Sequence, residues 1–132
     1  MNKFVVICII VVVVIISGII YKNQFRPADI APIVASGKTV LINMKVAQNT
    51  WKWDPDTITV QAGDTVILKI ANEDTYDHGF GLEIFGVNKR IFAKTETEIT
   101  FIASKIGTFN FYCSVSCGAG HYTQTGHLTV TE

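Results

Sequence analysis

No excess of charge of either sign marks this chain. Eleven lysines and arginines offset eleven aspartates and glutamates, so no basic footprint for a nucleic acid shows at the level of the whole sequence. Cysteine is scarce too. Of the three, Cys8 sits inside an apolar run, which leaves Cys113 and Cys117 as the only pair beyond it. No stretch after residue 38 sustains a helical period, and no repeat or low-complexity segment stands out beyond that apolar run. A helical bundle and a repeat array are thereby excluded, and 132 residues suffice for one domain with an appendage.

The one long hydrophobic run is Phe4–Ile20, interrupted only by Ser17 and Gly18. Seventeen helical residues reach about 25 Å, near the lower limit for crossing a bilayer. Lys3 fits the basic start of a secretory signal, but the run is long for a signal core and no Ala-x-Ala-like cleavage site follows. No small residue precedes Cys8 as a lipoprotein site requires. The preferred reading is an uncleaved membrane anchor over residues 1–21, with residues 4–20 in the bilayer and Tyr21 and Lys22 at the interface. Lys3 and the terminal amine oppose Lys22 and Arg26, so charge gives no orientation. Residues 22–38, with two prolines, a glycine and no period, read as a tether.

Residues 39–132 read as all-β. Val40, Ile42, Met44 and Val46 alternate with more polar neighbours, as do Ile58 and Val60, then Val66, Leu68 and Ile70, then Thr97, Ile99 and Phe101. Trp51 and Trp53 alternate likewise and are expected to share a strand face, by default packed in the core, the alternative being an exposed aromatic surface. Asn72 to His78 reads as a polar loop, residues 80–94 are ambiguous, and Phe109, Phe111 and Cys113 share a face. Seven or eight short strands separated by Gly and Pro turns predict a small β-sandwich or barrel.

Chemistry concentrates in Cys113–Gln124, where Cys113, Cys117 and His121 follow at steps of four and Gln124 three later. A disulfide between Cys113 and Cys117 would close a very small loop and remove little unfolded-state entropy. Two thiols and an imidazole in a loop with Gly118 and Gly120 suit a metal better, and copper or zinc far better than calcium or magnesium. His78 is expected to approach from a second loop at the same end of the sandwich. His127 reads as a surface histidine, and Met44 as strand packing. Glu73, Asp74, Asp77 and Glu83 flank His78; they read as a solvated loop or as a patch that steers a basic partner. Residues 39–132 carry ten acidic and seven basic side chains, a mild imbalance that permits such docking.

These motifs bear a resemblance. Cys113-x3-Cys117-Gly-x2-His121, the terminal Gly126-x-Leu-Thr-Val run, the upstream His78-Gly-Phe and the segment from Trp51 to Val66 are similar to the cupredoxin domain of cytochrome c oxidase subunit II. The likeness covers about residues 39–132, and the single N-terminal span looks like the short subunit II of ba3-type oxidases. It implies a cupredoxin-like Greek-key sandwich with a dinuclear copper (CuA) centre. His78 and His121 would each bind one copper, Cys113 and Cys117 would bridge both, and the Val115 carbonyl would be a weak ligand. Where the family carries a weakly bound methionine, this chain has Gln124, a harder donor expected to favour the cupric state. At Val115 many members have a glutamate that helps to hold magnesium, so that magnesium site is not expected. The function so implied is electron transfer, with no independent catalysis. Electrons would come from a cytochrome c or small copper protein and pass to a haem-bearing oxidase subunit I, the domain lying on the periplasmic or extracellular side. The alternatives are a membrane-tethered copper-binding or copper-delivery protein, a mononuclear cupredoxin, and a structural zinc site.

Overall fold

The computed structural model describes residues 2–24 and 34–132, and the chain divides into two units, Met1–Ala31 and Pro32–Glu132. In the first, helix α1 spans Lys3–Gln24, 22 residues or about 33 Å. Asn2 caps it, its side chain accepting from the Phe4 N–H at 3.3 Å, and Lys22 lies in the last turn, where a cation complements the helix dipole. The helix is long and apolar enough to cross a membrane, and it outruns the expected anchor by continuing through Lys22 to Gln24. β-Branched residues are poor helix formers in water. In lipid every backbone group must pair internally, which favours the helix regardless.

Of the expected tether 22–38, residues 25–33 lie outside those described. Its end already belongs to the second unit: the Ser36 N–H donates to the Gly63 carbonyl at 2.7 Å and the Ser36 hydroxyl to Asp64 at 3.2 Å.

Eight strands form two sheets among the described residues: β1 (Thr39–Val46), β2 (Thr57–Gln61), β3 (Thr65–Asn72), β4 (His78–Leu82), β5 (Val87–Ile91), β6 (Glu96–Ile102), β7 (Gly107–Cys113) and β8 (Thr125–Thr131). One sheet has the order β1-β3-β6, the other β2-β8-β7-β4-β5; β1–β3 and β2–β8 are parallel and the remaining pairs antiparallel. This is the mostly β, cupredoxin-like sandwich expected. The period-2 residues do what alternation predicts: Val66, Leu68 and Ile70 point inward from one sheet, Phe111, Leu128 and Val130 from the other, all nearly fully buried. Met44 packs in this core as expected.

Trp51 and Trp53 do not share a strand face. The segment is irregular, its one strand-like contact among the described residues being the Lys45–Asp54 bridge, and Trp51 adopts φ +46, rare for a bulky residue. Trp53 alone enters the core, edge-on to Phe80 at 5.4 Å. The ambiguous residues 80–94 resolve into β4, a short 3₁₀ turn Glu83–Phe85, and β5.

Candidate metal centre

His78 is presented by a strand, not by a second loop. It opens β4, which pairs with β7 so that Phe80 faces Cys113 and Gly81 faces Tyr112. The Gly79 N–H points at Cys113 Sγ at 3.5 Å and the Ser114 N–H donates to the Gly79 carbonyl at 3.1 Å. A side chain at 79 is excluded: its Cβ would sit 2.4 Å from the Ser114 hydroxyl and 2.8 Å from the Val115 nitrogen. From the end of β7 the chain loops out to the short 3₁₀ turn His121–Thr123 and returns, and the Cys113 N–H donates to the Gln124 carbonyl at 3.0 Å, stapling the loop shut.

All six residues singled out from the sequence meet here. Cys113 Sγ and Cys117 Sγ are 3.4 Å apart; His78 Nδ1 lies 3.8 Å from the first and His121 Nδ1 3.7 Å from the second. The Val115 carbonyl is 3.1 Å from Cys113 Sγ, and Gln124 Oε1 is 3.4 Å from Cys117 Sγ and 2.8 Å from His78 Nδ1. Neither cysteine is in a disulfide. The donor atoms of His78, Cys113 and Cys117 lie within 4.8 Å of one another, and these three residues and Gln124 are buried. His121 is half-exposed, at a groove shared with Tyr112, Ser114, Tyr122 and Thr125. Each histidine faces a different cysteine, while the sulfurs face each other.

Burial pushes both thiols toward the neutral form. At Cys113 the facing His78 imidazole and the Gly79 N–H outweigh burial and hold the thiol at about 6. At Cys117 the neighbouring Cys113 reinforces burial and pushes it up to about 12. The two thiols are thus pushed in opposite directions, and a cation between them would allow both sulfurs to ionise. Burial lowers the His78 pKa, but its contacts with Cys113, Gln124 and Asp74 outweigh that and raise it.

Two residues at the site were invisible as such in the sequence. Asp74 is fully buried, with Oδ2 3.4 Å from His78 Nε2; burial raises its pKa, but the Thr75 and Asn49 N–H groups outweigh this and keep it low. It is therefore no part of a solvated loop. Its neighbours are engaged as well: Asp77 accepts from Arg90 at 3.0 Å, and Glu83 accepts from the Tyr112 hydroxyl at 2.6 Å, which leaves Glu73 exposed. Nothing local separates Asp74 from Asp77 in an acidic stretch. Trp51 is the second: its indole N–H donates to the Cys117 carbonyl at 2.9 Å and its ring covers Gly118 and Gly120. Only at Gly118, with φ +113, is glycine needed for backbone freedom; at Gly120 the reason is the Trp51 ring, 2.4 Å from where a Cβ would lie. We expect Gly120→Ala to loosen this loop and weaken metal affinity by about tenfold or more, with little change in overall stability; competition with a chromophoric chelator measures it. His127 is exposed, as expected, and pairs with Asn110 at 2.8 Å.

The donor chemistry fits copper: two thiols and two imidazoles, soft to borderline, joined by an amide and a peptide carbonyl, with no carboxylate among the inward-facing donors. A β-sandwich that seats such a cluster at one end of its larger sheet defines a small metal-site β-domain. The chain belongs to the cupredoxin-like domain family, whose model matches residues 8–130. It is 37% identical over 75 residues to the nitrous-oxide reductase of Stutzerimonas stutzeri, a match covering 54% of this chain and 12% of that protein. The chain thus matches only about an eighth of that relative's length. Among solved structures it resembles a chain of a heme-copper terminal oxidase dimer (19% identity, 97% of each chain, TM-score 0.63). It also resembles the periplasmic domain of cytochrome oxidase subunit II of Bradyrhizobium japonicum (20% identity, 76% of this chain and 88% of that one, TM-score 0.58).

Proposed function

We propose that the chain is a membrane-anchored copper electron-transfer protein, the electron-entry subunit of a haem–copper terminal oxidase, with a dinuclear centre held by His78, Cys113, Cys117 and His121. The observation that carries this is the paired geometry: two sulfurs 3.4 Å apart, each facing its own imidazole. A single tetrahedral zinc would gain nothing from the two further donors, the Val115 carbonyl and Gln124 Oε1, that also face the sulfurs. Two coppers held by these residues would share one electron, which would spread the charge change and lower the reorganisation that opposes transfer. The residues supply the rest. Strands β4 and β7 fix His78 and Cys113 in one sheet, the loop closed by the Cys113–Gln124 hydrogen bond carries Cys117 and His121, the aromatic wall of Trp53 and Phe80 excludes water, and Asp74 orients His78.

The haem-bearing oxidase partner is read from the likeness to a chain of a heme-copper terminal oxidase, which extends over 97% of both chains, and a domain outside the cytoplasm from the likeness to the periplasmic domain of an oxidase subunit II. A second reading is favoured by the sequence relatives, which are nitrous-oxide reductases: the same module could serve a reductase of that kind. Co-purification of the native chain separates the two, a haem-bearing membrane partner supporting the oxidase and its absence the alternative.

Copper stoichiometry with electron paramagnetic resonance on the full-length chain in detergent tests the centre itself. Two coppers per chain sharing one unpaired electron are expected. One copper with single-nucleus hyperfine splitting would overturn the proposal in favour of a mononuclear site or copper handling. With an amide at the axial position, we further expect Gln124→Met to raise the reduction potential, since a thioether favours the cuprous state. A tenfold change in that preference corresponds to about 59 mV for one electron. An unchanged or lower potential in redox titration would remove Gln124 from the ligand set.

A further inference from the structure

Asn72 ends β3, and its buried side chain spends both N–H groups and its oxygen on the backbone around His78. Nδ2 donates to the Tyr76 carbonyl at 2.9 Å and, with its second hydrogen shared, to the Phe92 and Ile91 carbonyls at 3.2 and 3.3 Å. Oδ1 accepts from the Asp74 N–H at 2.9 Å. Three carbonyls on one side and an N–H on the other fix which way round the amide lies. These partners bracket His78. Asp74 and Tyr76 belong to the segment that leads into it, and Ile91 is its register partner across the β4–β5 pair. Asn72 itself lies in the three-stranded sheet, whereas β4 and β5 belong to the other. One amide thus ties the smaller sheet to the backbone on both sides of His78. Through Asp74, whose Oδ2 lies 3.4 Å from His78 Nε2, the tie reaches the edge of the imidazole turned away from Cys113.

We propose that Asn72 is a positioning residue of the metal centre: touching none of the donor atoms, it sets where His78 stands against Cys113 and so how firmly metal is held at that end. This rests on the metal-centre reading above. A metal–imidazole bond is about 2 Å long, and a working site holds its donors within about 0.5 Å of the required geometry. His78 faces Cys113 Sγ across 3.8 Å from a strand whose lead-in, residues 73–77, is neither helix nor strand and has Tyr76 half-exposed. Such a run keeps one shape only while its buried backbone groups have partners, and Asn72 supplies two of them as well as two in the facing β5 segment. An aspartate has the same shape but, when ionised, cannot donate, and would set a carboxylate against three carbonyls. Alanine merely deletes the partner and leaves room in which water can stand in for it.

The test compares the full-length chain in detergent micelles as wild type, Asn72→Ala and Asn72→Asp. Val60→Ala serves as the control for lost stability alone: Val60 is buried on β2 beside Val130, which faces the start of β7, the end away from Cys113. In the metal-free state, amide hydrogen exchange at Asp74 should quicken about tenfold or more in both Asn72 variants and much less in the control. With copper bound, its release to a chelator should be about tenfold faster in Asn72→Ala, the worth of one buried hydrogen bond, and faster still in Asn72→Asp. Electron paramagnetic resonance should show the electron shared less equally between the two coppers, since only the His78 end is disturbed. Wild-type release and spectrum in both Asn72 variants would overturn the proposal and leave Asn72 a residue of the fold alone. An equal gain in release rate in Val60→Ala would overturn it as well, and so would failure of both Asn72 variants to fold. One copper per chain in every protein would instead overturn the dinuclear reading, and the role of Asn72 would then stand or fall on the release rates and the Asp74 exchange.

Discussion

Cys117→Ser is expected to halve copper binding, from two ions per chain to one, and to replace a hyperfine pattern shared over two nuclei by that of a single nucleus. The reasoning starts from the 3.4 Å separation of the sulfurs. Bridging needs both, because each thiolate can donate to two metals at once whereas a serine hydroxyl, hard and protonated at neutral pH, donates weakly to one. Removing Cys117 also strips His121 of the sulfur it faces at 3.7 Å, while Cys113 and His78 still face each other at 3.8 Å. The surviving ion should therefore sit at the buried end. Serine is close in size to cysteine and the position is almost fully buried, so the fold should tolerate the change at a cost of about 1–2 kcal/mol for a buried hydroxyl. Two coppers per chain with an unaltered spectrum would show that Cys117 bridges nothing.

The largest effect on the fold is expected from Gly126→Ala. Gly126 faces Phe111 across the β7–β8 ladder, and the Phe111 ring occupies the place where a side chain would be. A Cβ there would fall 2.3 Å from Phe111 Cε2 and Cζ and 2.5 Å from the Asp56 carbonyl. Neither can retreat. Phe111 is fully buried, stacked on Phe80 at 5.1 Å and edge-on to Trp53 at 6.4 Å, and the Asp56 carbonyl accepts from the His127 N–H at 2.8 Å. Overpacking of a rigid core costs about 1–3 kcal/mol, and a clash with backbone as well places this case at about 3 kcal/mol or more. For a unit of this size each kcal/mol lowers Tm by about 4–8 °C, so a fall of about 12 °C or more is expected in thermal unfolding. A loss below about 1 kcal/mol would mean that the β7–β8 packing yields more readily than the Phe80–Phe111–Trp53 cluster suggests. Because Phe80 and Trp53 also wall the metal end, the variant should lose copper affinity together with stability.

How much of this was legible beforehand follows from the range of the forces involved. Alternation at Val66, Leu68 and Ile70, the turn glycines and the apolar run Phe4–Ile20 are local signals, and strands and helix form where they say. The ligand spacing within Cys113–Gln124 is local too, since one stapled loop carries it. Boundaries were weaker: α1 runs on through Lys22 to Gln24, and Ser36 is already tied to the Gly63 turn. Trp51 and Trp53, equivalent by alternation, part company because an indole N–H reaching the Cys117 carbonyl outweighs the strand conformation that spacing alone favours.

By itself, then, the sequence determined the class of fold, the apolar helix and which side chains could donate to a metal, because periodicity and residue chemistry are properties of short segments. Tertiary structure alone decided that His78 enters from a strand, that Asp74 is buried behind it while Asp77 turns to Arg90, and that one oxygen of Gln124 holds both His78 and Cys117. Those outcomes depend on the register of β4 against β7 and on which polar groups find partners once water is gone, and neither is written in any local pattern.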